Sequence, residues 1–301
     1  MKTLIVGLGI QGEKRKNFSG SDFKFSVDPL NRKADFKFIE QVPLSEYEAV
    51  CLCVPNNQKK KIIDYCLKNN KHVLIEKPLI LDEKEIDTLQ KKSIAQKTII
   101  YVAYNHRFEP NFKALKKTLI KEDFGKLYSC RMFYGNGTAR LVKNNNWKDK
   151  GTGVISDLSS HLLDTYNYFF DEFPKKFKLI SSMKFENKSP DHALIMHKSN
   201  KKLIQLEVSL CMWKNSFNCD LIFENGSLHI NSLCKWGPSI FTKRYRVMPS
   251  GYPKEKIKII KMKDPTWKLE YAHFKNLIKE NIITDFKKDK WISKTLKNLN
   301  G

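Results

Sequence analysis

Short apolar runs alternate with helical patterns through the first hundred residues, and this alternation restricts the fold more than any other feature. Thr3 to Val6 ends at a glycine, Phe23 to Val27 is closed by Asp28-Pro29, and Ala49 to Val54 by Pro55-Asn56. His72 to Ile75 is closed by Glu76-Lys77-Pro78, and Thr98 to Ala103 is a further run. Between them, Ile62, Ile63, Cys66 and Leu67 share one helical face, and Asp82 to Ala95 again reads as helix. Strands that alternate with helices predict a parallel sheet joined by crossover helices. Their near-continuous apolar character predicts a sheet covered on both faces.

The first run leads directly into Gly7-Leu8-Gly9-Ile10-Gln11-Gly12, a complete GxGxxG. Directly after a strand and before a helix, this pattern predicts a dinucleotide site. Gly7 permits the tight turn, Gly9 lets backbone approach a pyrophosphate, and Gly12 lets the helix pack near the strand. The helix N-terminus then faces the phosphates. Asp28 closes the second run, 16 residues past Gly12. A carboxylate there accepts hydrogen bonds from ribose hydroxyls and repels a 2′-phosphate, which favours NAD. Arg32 and Lys33 close behind keep NADP open. The segment from Gly12 to Phe23 is short, so its helix is expected to have only a turn or two.

The pattern changes near Asp123-Phe124-Gly125. Leu127 to Phe133, Phe177 to Phe185, Ala193 to His197, Leu203 to Leu210, Cys219 to Phe223 and Ser227 to Ile230 alternate in the manner of antiparallel strands with one wet face. An apolar helix from about Gly153 to Phe170 interrupts them, and Glu270 to Ile282 reads as a closing amphipathic helix. The expected architecture is an α/β Rossmann domain with a parallel sheet over residues 1–122. An α+β domain with a large, mostly antiparallel open sheet follows over 123–301 and serves substrate binding and oligomerisation.

The net charge of +23 raises the question of nucleic acid, but 48 of the 55 basic residues are lysine and only seven are arginine. Nucleic-acid readers favour arginine for bidentate contacts, so the charge reads as a solvated surface and no specific nucleic-acid partner is expected. No apolar run approaches the roughly 20 residues of a membrane helix, and the expected location is the cytoplasm. Cys51, Cys53, Cys66, Cys130, Cys211, Cys219 and Cys234 are odd in number and contain no CxxC, which predicts reduced thiols and no metal site.

Taken in order, GLGIQG, VPNN, HVLIEKPL, YNHRFEP, FGKLYSCRMFYG, NWKDKGTGVISDLSSHLLD and LEYAHFKNLI resemble the Gfo/Idh/MocA family of nicotinamide-dependent oxidoreductases, from Gly7 to about Leu277. The resemblance implies that Lys77, within the EKP motif, lies near the nicotinamide and the reacting hydroxyl. Alcohol oxidation needs an acceptor for the hydroxyl proton, and an amine there can supply one. Asp157 and His161 are four apart, so on a helix they share a face. The resemblance implies that they line the substrate site, His161 as acid/base and Asp157 as binder of hydroxyls, with Asp164 positioning the helix. Whether Lys77 or His161 makes the main proton transfer stays open.

The expected cofactor-binding set is Gly7, Gly9, Ile10, Gln11, Gly12, Asp28, Pro55, Asn56, Glu76, Lys77 and Asn105. The expected substrate-binding set is Lys77, Arg107, Trp147, Asp157 and His161, with Lys148 beside Trp147 and His273 pointing inward from the closing helix. Three positions depart from the family: Thr152 separates Gly151 from Gly153, Ser159 replaces a common glycine, and Lys59 stands where a histidine often follows the PN motif. The expected function is NAD-dependent hydride transfer at a hydroxyl or carbonyl carbon of a sugar, cyclitol or nucleotide-activated sugar, in a homodimer or homotetramer. The alternatives are reduction of an imine or other unsaturated small molecule, and a non-catalytic dinucleotide-binding protein.

Overall fold

The computed structural model describes residues 1–143, 145 and 149–299. The chain divides into two compact units, residues 1–105 with 266–294, and residues 106–265 with 295–301. The division falls before residue 123, where the sequence pattern changes, and Thr266–Lys294 returns to the first unit.

The first unit contains β1 (Thr3–Val6), α1 (Ile10–Ser19), β2 (Phe23–Val27), β3 (Ala49–Leu52), α2 (Asn56–Lys68), β4 (His72–Glu76), α3 (Glu83–Ala95) and β5 (Ile100–Ala103). The strands form one parallel sheet in the order β2-β1-β3-β4-β5. All four residues of β1, β3 and β5 are buried, as a sheet covered on both faces requires. Asp82 caps α3, and Glu85 returns the bond to the cap's own N–H, which is why the helix starts there. The order reverses at β1, so the β1 and β3 loops meet at the carboxyl edge, where such sheets bind ligands.

The α1 segment corrects one expectation, because the helix has ten residues rather than a turn or two. It begins at Ile10, inside the glycine motif, and gains its first turn from residues assigned to the loop.

The second unit contains α4 (Pro110–Lys121), β6 (Leu127–Gly135), α5 (Ala139–Lys143), α6 (Val154–Asp157), α7 (Ser159–Phe170), β7 (Lys178–Met183), β8 (His192–Lys198), β9 (Leu203–Ser209), β10 (Ser216–Phe223), β11 (Gly226–Asn231), β12 (Ser239–Tyr245) and β13 (Lys254–Ile260). Its eight strands run β13-β12-β11-β10-β6-β9-β8-β7, antiparallel except for the parallel β6–β9 pair. Cys130, Met132 and Tyr134 of β6 face inward, while Ser129, Arg131 and Phe133 alternate outward. The last two strands were not expected. β13 alternates lysine with isoleucine and stays exposed along nearly its whole length, so no buried face marks it. Lysines on such an edge discourage further strand pairing. Two further helices follow, α8 (Thr266–Lys279) and α9 (Lys287–Asn298).

The expected continuous helix from Gly153 is two pieces. Ser160 Oγ donates to the Asp157 carbonyl at 2.9 Å, and the His161 N–H bonds to Leu158 O rather than to that carbonyl. Serine competing for the backbone breaks the ladder at this joint. All seven cysteines are free thiols, five of them buried. Among the described residues no helix is long and apolar enough to cross a membrane.

Candidate functional site

In the first unit, the glycine loop closes against its neighbours so tightly that side chains are excluded at two of its three glycines. Gly7 has φ +92°, and a Cβ there would lie 2.7 Å from the Cys53 carbonyl oxygen. A Cβ on Gly12 would lie 1.9 Å from Gly7 O, whereas one on Gly9 would meet nothing within 4 Å. The open space is therefore at Gly9, which precedes the first turn of α1 with its unsatisfied N–H groups. The Gly12→Ala variant is expected to lose about 2 kcal/mol of stability and to bind NADH more weakly, as read by thermal melting and fluorescence titration.

Asp28 sits just past β2. One carboxylate oxygen accepts the Leu8 N–H at 2.8 Å, and the other accepts Leu30 and Asn31 N–H at 2.8 and 3.0 Å. Asn31 Nδ2 in turn donates to Leu8 O at 2.8 Å. The carboxylate thus ties the glycine loop to β2, and its Oδ2 keeps acceptor capacity for a ribose hydroxyl. The glycine cradle, the helix terminus and Asp28 fit a dinucleotide. They would hold the pyrophosphate and the adenosine ribose.

The EKP segment follows β4 at the same carboxyl edge. Pro78 is preceded by a cis peptide bond. Asn56, at the start of α2 beside Pro55, donates to Ile80 O at 2.7 Å and accepts Ile80 N–H at 2.9 Å. Lys59, one turn further on, is 2 % exposed and donates to the carbonyls of Glu76 and Pro78. Glu76 is bonded to Arg15 of α1, whose Nη2 also donates to Glu270 of α8 at 2.7 Å. The Trp267 ring lies 4.3 Å from the guanidinium carbon. Burial works against the charge of Arg15, but the two carboxylates more than offset this and raise its pKa.

Neither Arg15, Lys59 nor Glu270 was expected at the site, although the sequence carried a signal. Arg15 is spaced with Gly12 and Ser19, and Lys59 with Ile63, Cys66 and Leu67, along the buried helix faces. A charged residue on an apolar stripe marks a partner inside.

Burial pulls the Lys59 ammonium down to about 7, with Lys77 acting in the same direction and Glu76 and the Cys53 thiol opposing it. The folded value then lies below the unfolded one. Between about pH 7 and 10 the unfolded chain binds the extra proton, so raising pH favours the folded state. Wild type is expected to gain melting temperature relative to Lys59→Met across that interval.

Asn105, just past β5, donates to Thr266 Oγ1 at 2.8 Å. His273 packs edge-on against Tyr101, ring centroids 5.4 Å apart.

In the second unit, α7 carries the expected histidine. His161 is 7 % exposed and stacks on His106, ring centroids 4.2 Å apart and planes within 20°. Tyr134, at the end of β6, stands edge-on to both. Lys235 Nζ lies 3.4 Å from His106 Nε2 and 4.4 Å from the Trp236 ring centroid. Burial pushes the Tyr134 phenol up, and Asp157 and Asp264 push it the same way, so it stays a neutral hydroxyl. The two stacked imidazoles thus stand beside an aromatic wall. Lys235 and Trp236 lie in a short turn after β11, and no periodicity pointed to them.

Asp157 ends α6 with its side chain exposed. Asp164 is 1 % exposed, and its two oxygens accept Arg107 Nε at 3.0 and 2.9 Å, while Arg107 Nη2 donates to Asn167 at 3.2 Å. Asp164 therefore anchors Arg107 to α7. In the turn before α6, Gly153 has φ +45° and would place a Cβ 2.2 Å from Pro190 O, while Thr152 bonds Ser156. Trp147 and Lys148 lie outside the described residues.

Comparison with known proteins adds to this geometry. A myo-inositol 2-dehydrogenase of Thermotoga maritima is 32% identical over 125 residues, 42% of this chain and 36% of that one. A glucose-6-phosphate 3-dehydrogenase of Bacillus subtilis is 25% identical over 161 residues, 52% of this chain and 42% of that one. The matched region spans about two-fifths of the length of these curated relatives. The solved UDP-N-acetylglucosamine 3-dehydrogenase of Acidithiobacillus ferrooxidans shares the fold at TM-score 0.82 and 16% identity, over 99% of this chain and 96% of that one. Residues 21–104 match an oxidoreductase family described by its NAD-binding Rossmann fold, and residues 112–229 match the C-terminal domain of the same family. The glycine cradle precedes the first matched stretch, so its geometry and the family match are independent grounds for one dinucleotide site. The chain belongs to the Gfo/Idh/MocA family of oxidoreductases.

Proposed function

We propose that the protein is an NAD-dependent oxidoreductase acting on a hydroxyl or carbonyl carbon of a sugar, cyclitol or nucleotide-activated sugar. The observation that carries this reading is the placement of Lys77 at the carboxyl end of β4, on the sheet edge that also holds the Gly9 opening and Asp28. Bound nicotinamide would supply the hydride acceptor or donor. Lys77 Nζ takes the hydroxyl proton during oxidation and returns it during reduction. His161, sharing its environment with His106, serves as a further proton carrier, and Asp157 accepts hydrogen bonds from substrate hydroxyls. The named activities of the relatives, on inositol, glucose 6-phosphate and UDP-N-acetylglucosamine, support polyhydroxylated substrates. The +23 charge favours an anionic one, such as a nucleotide sugar in surface-glycan synthesis.

The test is a panel of polyols, sugars and nucleotide sugars with NAD and NADP, followed at the nicotinamide absorbance. Reduction of cofactor by at least one polyol is expected, with NAD preferred. Failure of all of them with both cofactors would remove the dehydrogenase reading.

A second copy of the chain is the proposed partner of the open sheet face. Its outward residues Arg131, Asp220, His229 and Arg244 form a polar, mixed-charge network suited to self-association. Light scattering after size exclusion should report a dimer or tetramer; a monomer at micromolar concentration would refute this.

A further inference from the structure

We propose that Lys59 is a positioning residue for Lys77, its buried amino group fixing the backbone from which the Lys77 side chain departs. The inference rests on the reading of Lys77 as the proton carrier. Lys59 donates to the carbonyl oxygens of Glu76 and Pro78, the residues immediately before and after Lys77. Asn56, three residues earlier on α2, holds Ile80 through both its N–H and its carbonyl. Residues three apart share a helix face, so one turn of α2 grips the strap from Glu76 to Ile80 at three residues.

The Glu76 side chain is held from the other side by Arg15. Lys77 is therefore flanked on both sides by residues held in place. An apolar side chain would fill the space of Lys59 without the desolvation cost of a buried ammonium. An amino group makes sense where two N–H donors must reach two carbonyls at once. Beyond Glu76, the last residue of β4, the strap has no strand or helix ladder of its own, and a reacting group displaced by about 1 Å can lose a hundredfold in rate.

The test uses the full chain and the Lys59→Met variant, with a polyol that the wild type oxidises. The expected result is a kcat lower by roughly 10- to 100-fold, with KM and the NADH dissociation constant changed by less than about threefold. Deuterium uptake should rise in the peptide covering residues 76–82 and stay unchanged across α3. Lys59→Arg, which keeps donors near both carbonyls, should recover part of the rate. Two results would overturn the proposal: unchanged kcat in folded Lys59→Met, or kcat, KM and NADH affinity deteriorating together in step with melting temperature. Should Lys59→Met fail to fold, Lys59→Gln is read by the same criteria. Full turnover in Lys77→Ala would end the reading of Lys77 by itself. The uptake measurement, which needs no turnover, would then still decide whether Lys59 holds the strap.

Discussion

Replacing Lys77 with alanine is expected to lower kcat by about 10²- to 10⁴-fold, the usual contribution of a positioned acid or base. The loss should fall on kcat far more than on NADH binding, because the proposed dinucleotide would be held mainly by the glycine cradle and Asp28, which the substitution does not touch. Lys77→Arg separates two ways in which a cation could help. Arginine keeps the positive charge but does not give up its proton in a protein. If Lys77 moves a proton, Lys77→Arg should be nearly as slow as Lys77→Ala. If it only contributes charge, Lys77→Arg should keep most of the rate. Added primary amines should restore part of the Lys77→Ala rate in proportion to their basicity. Turnover in Lys77→Ala within about threefold of wild type would transfer the proton step to His161. His161→Asn would then be the slow variant.

The first sheet was legible because β1, β3, β4 and β5 are buried on both faces almost throughout, while the edge strand β2 is buried only at its end, and four of the five strands end in a turn residue. Those turns, at Gly7, Asp28, Pro55-Asn56 and Glu76-Lys77-Pro78, place their polar residues on one edge. Periodicity failed where no apolar stripe marks an element. β13 has no buried face, and the buried face of α9 mixes Asp289, Ser293 and Thr295 with Ile292 and Leu296. The break between α6 and α7 was missed for a different reason. A serine hydroxyl bonding the Asp157 carbonyl is a local event that an apolar pattern does not record.

At the candidate site, the motif segments were readable as turns at strand ends, and the side chains that hold those turns were not. Asn56 was expected beside the cofactor, and the structure shows its side-chain amide bonded to the Ile80 backbone. Arg107 was expected at the substrate, and its guanidinium lies on Asp164 and Asn167. In both cases the side chain holds backbone or helix in place. A motif names the residue type that recurs, and only coordinates show which atoms it bonds.

The Arg15→Ala variant is expected to be less stable by about 3–5 kcal/mol, the usual cost of removing one partner from a buried ion pair. Glu270 is fully buried and Glu76 nearly so, and both accept hydrogen bonds from this one guanidinium. Without it, two carboxylates would remain close together in a low-dielectric interior. Their mutual repulsion adds to the desolvation already paid for each. The loss of the Trp267 contact contributes less, of the order of 1–2 kcal/mol for a buried cation–aromatic pair. A variant with Arg15→Met, Glu76→Gln and Glu270→Leu together should melt above Arg15→Ala, because it removes all three charges and leaves none alone. Chemical denaturation of the two variants beside wild type measures both differences. If the triple variant is the less stable of the two, the cluster contributes through shape and packing rather than through paired charge. An Arg15→Ala variant within about 1 kcal/mol of wild type would mean that water reaches the two carboxylates.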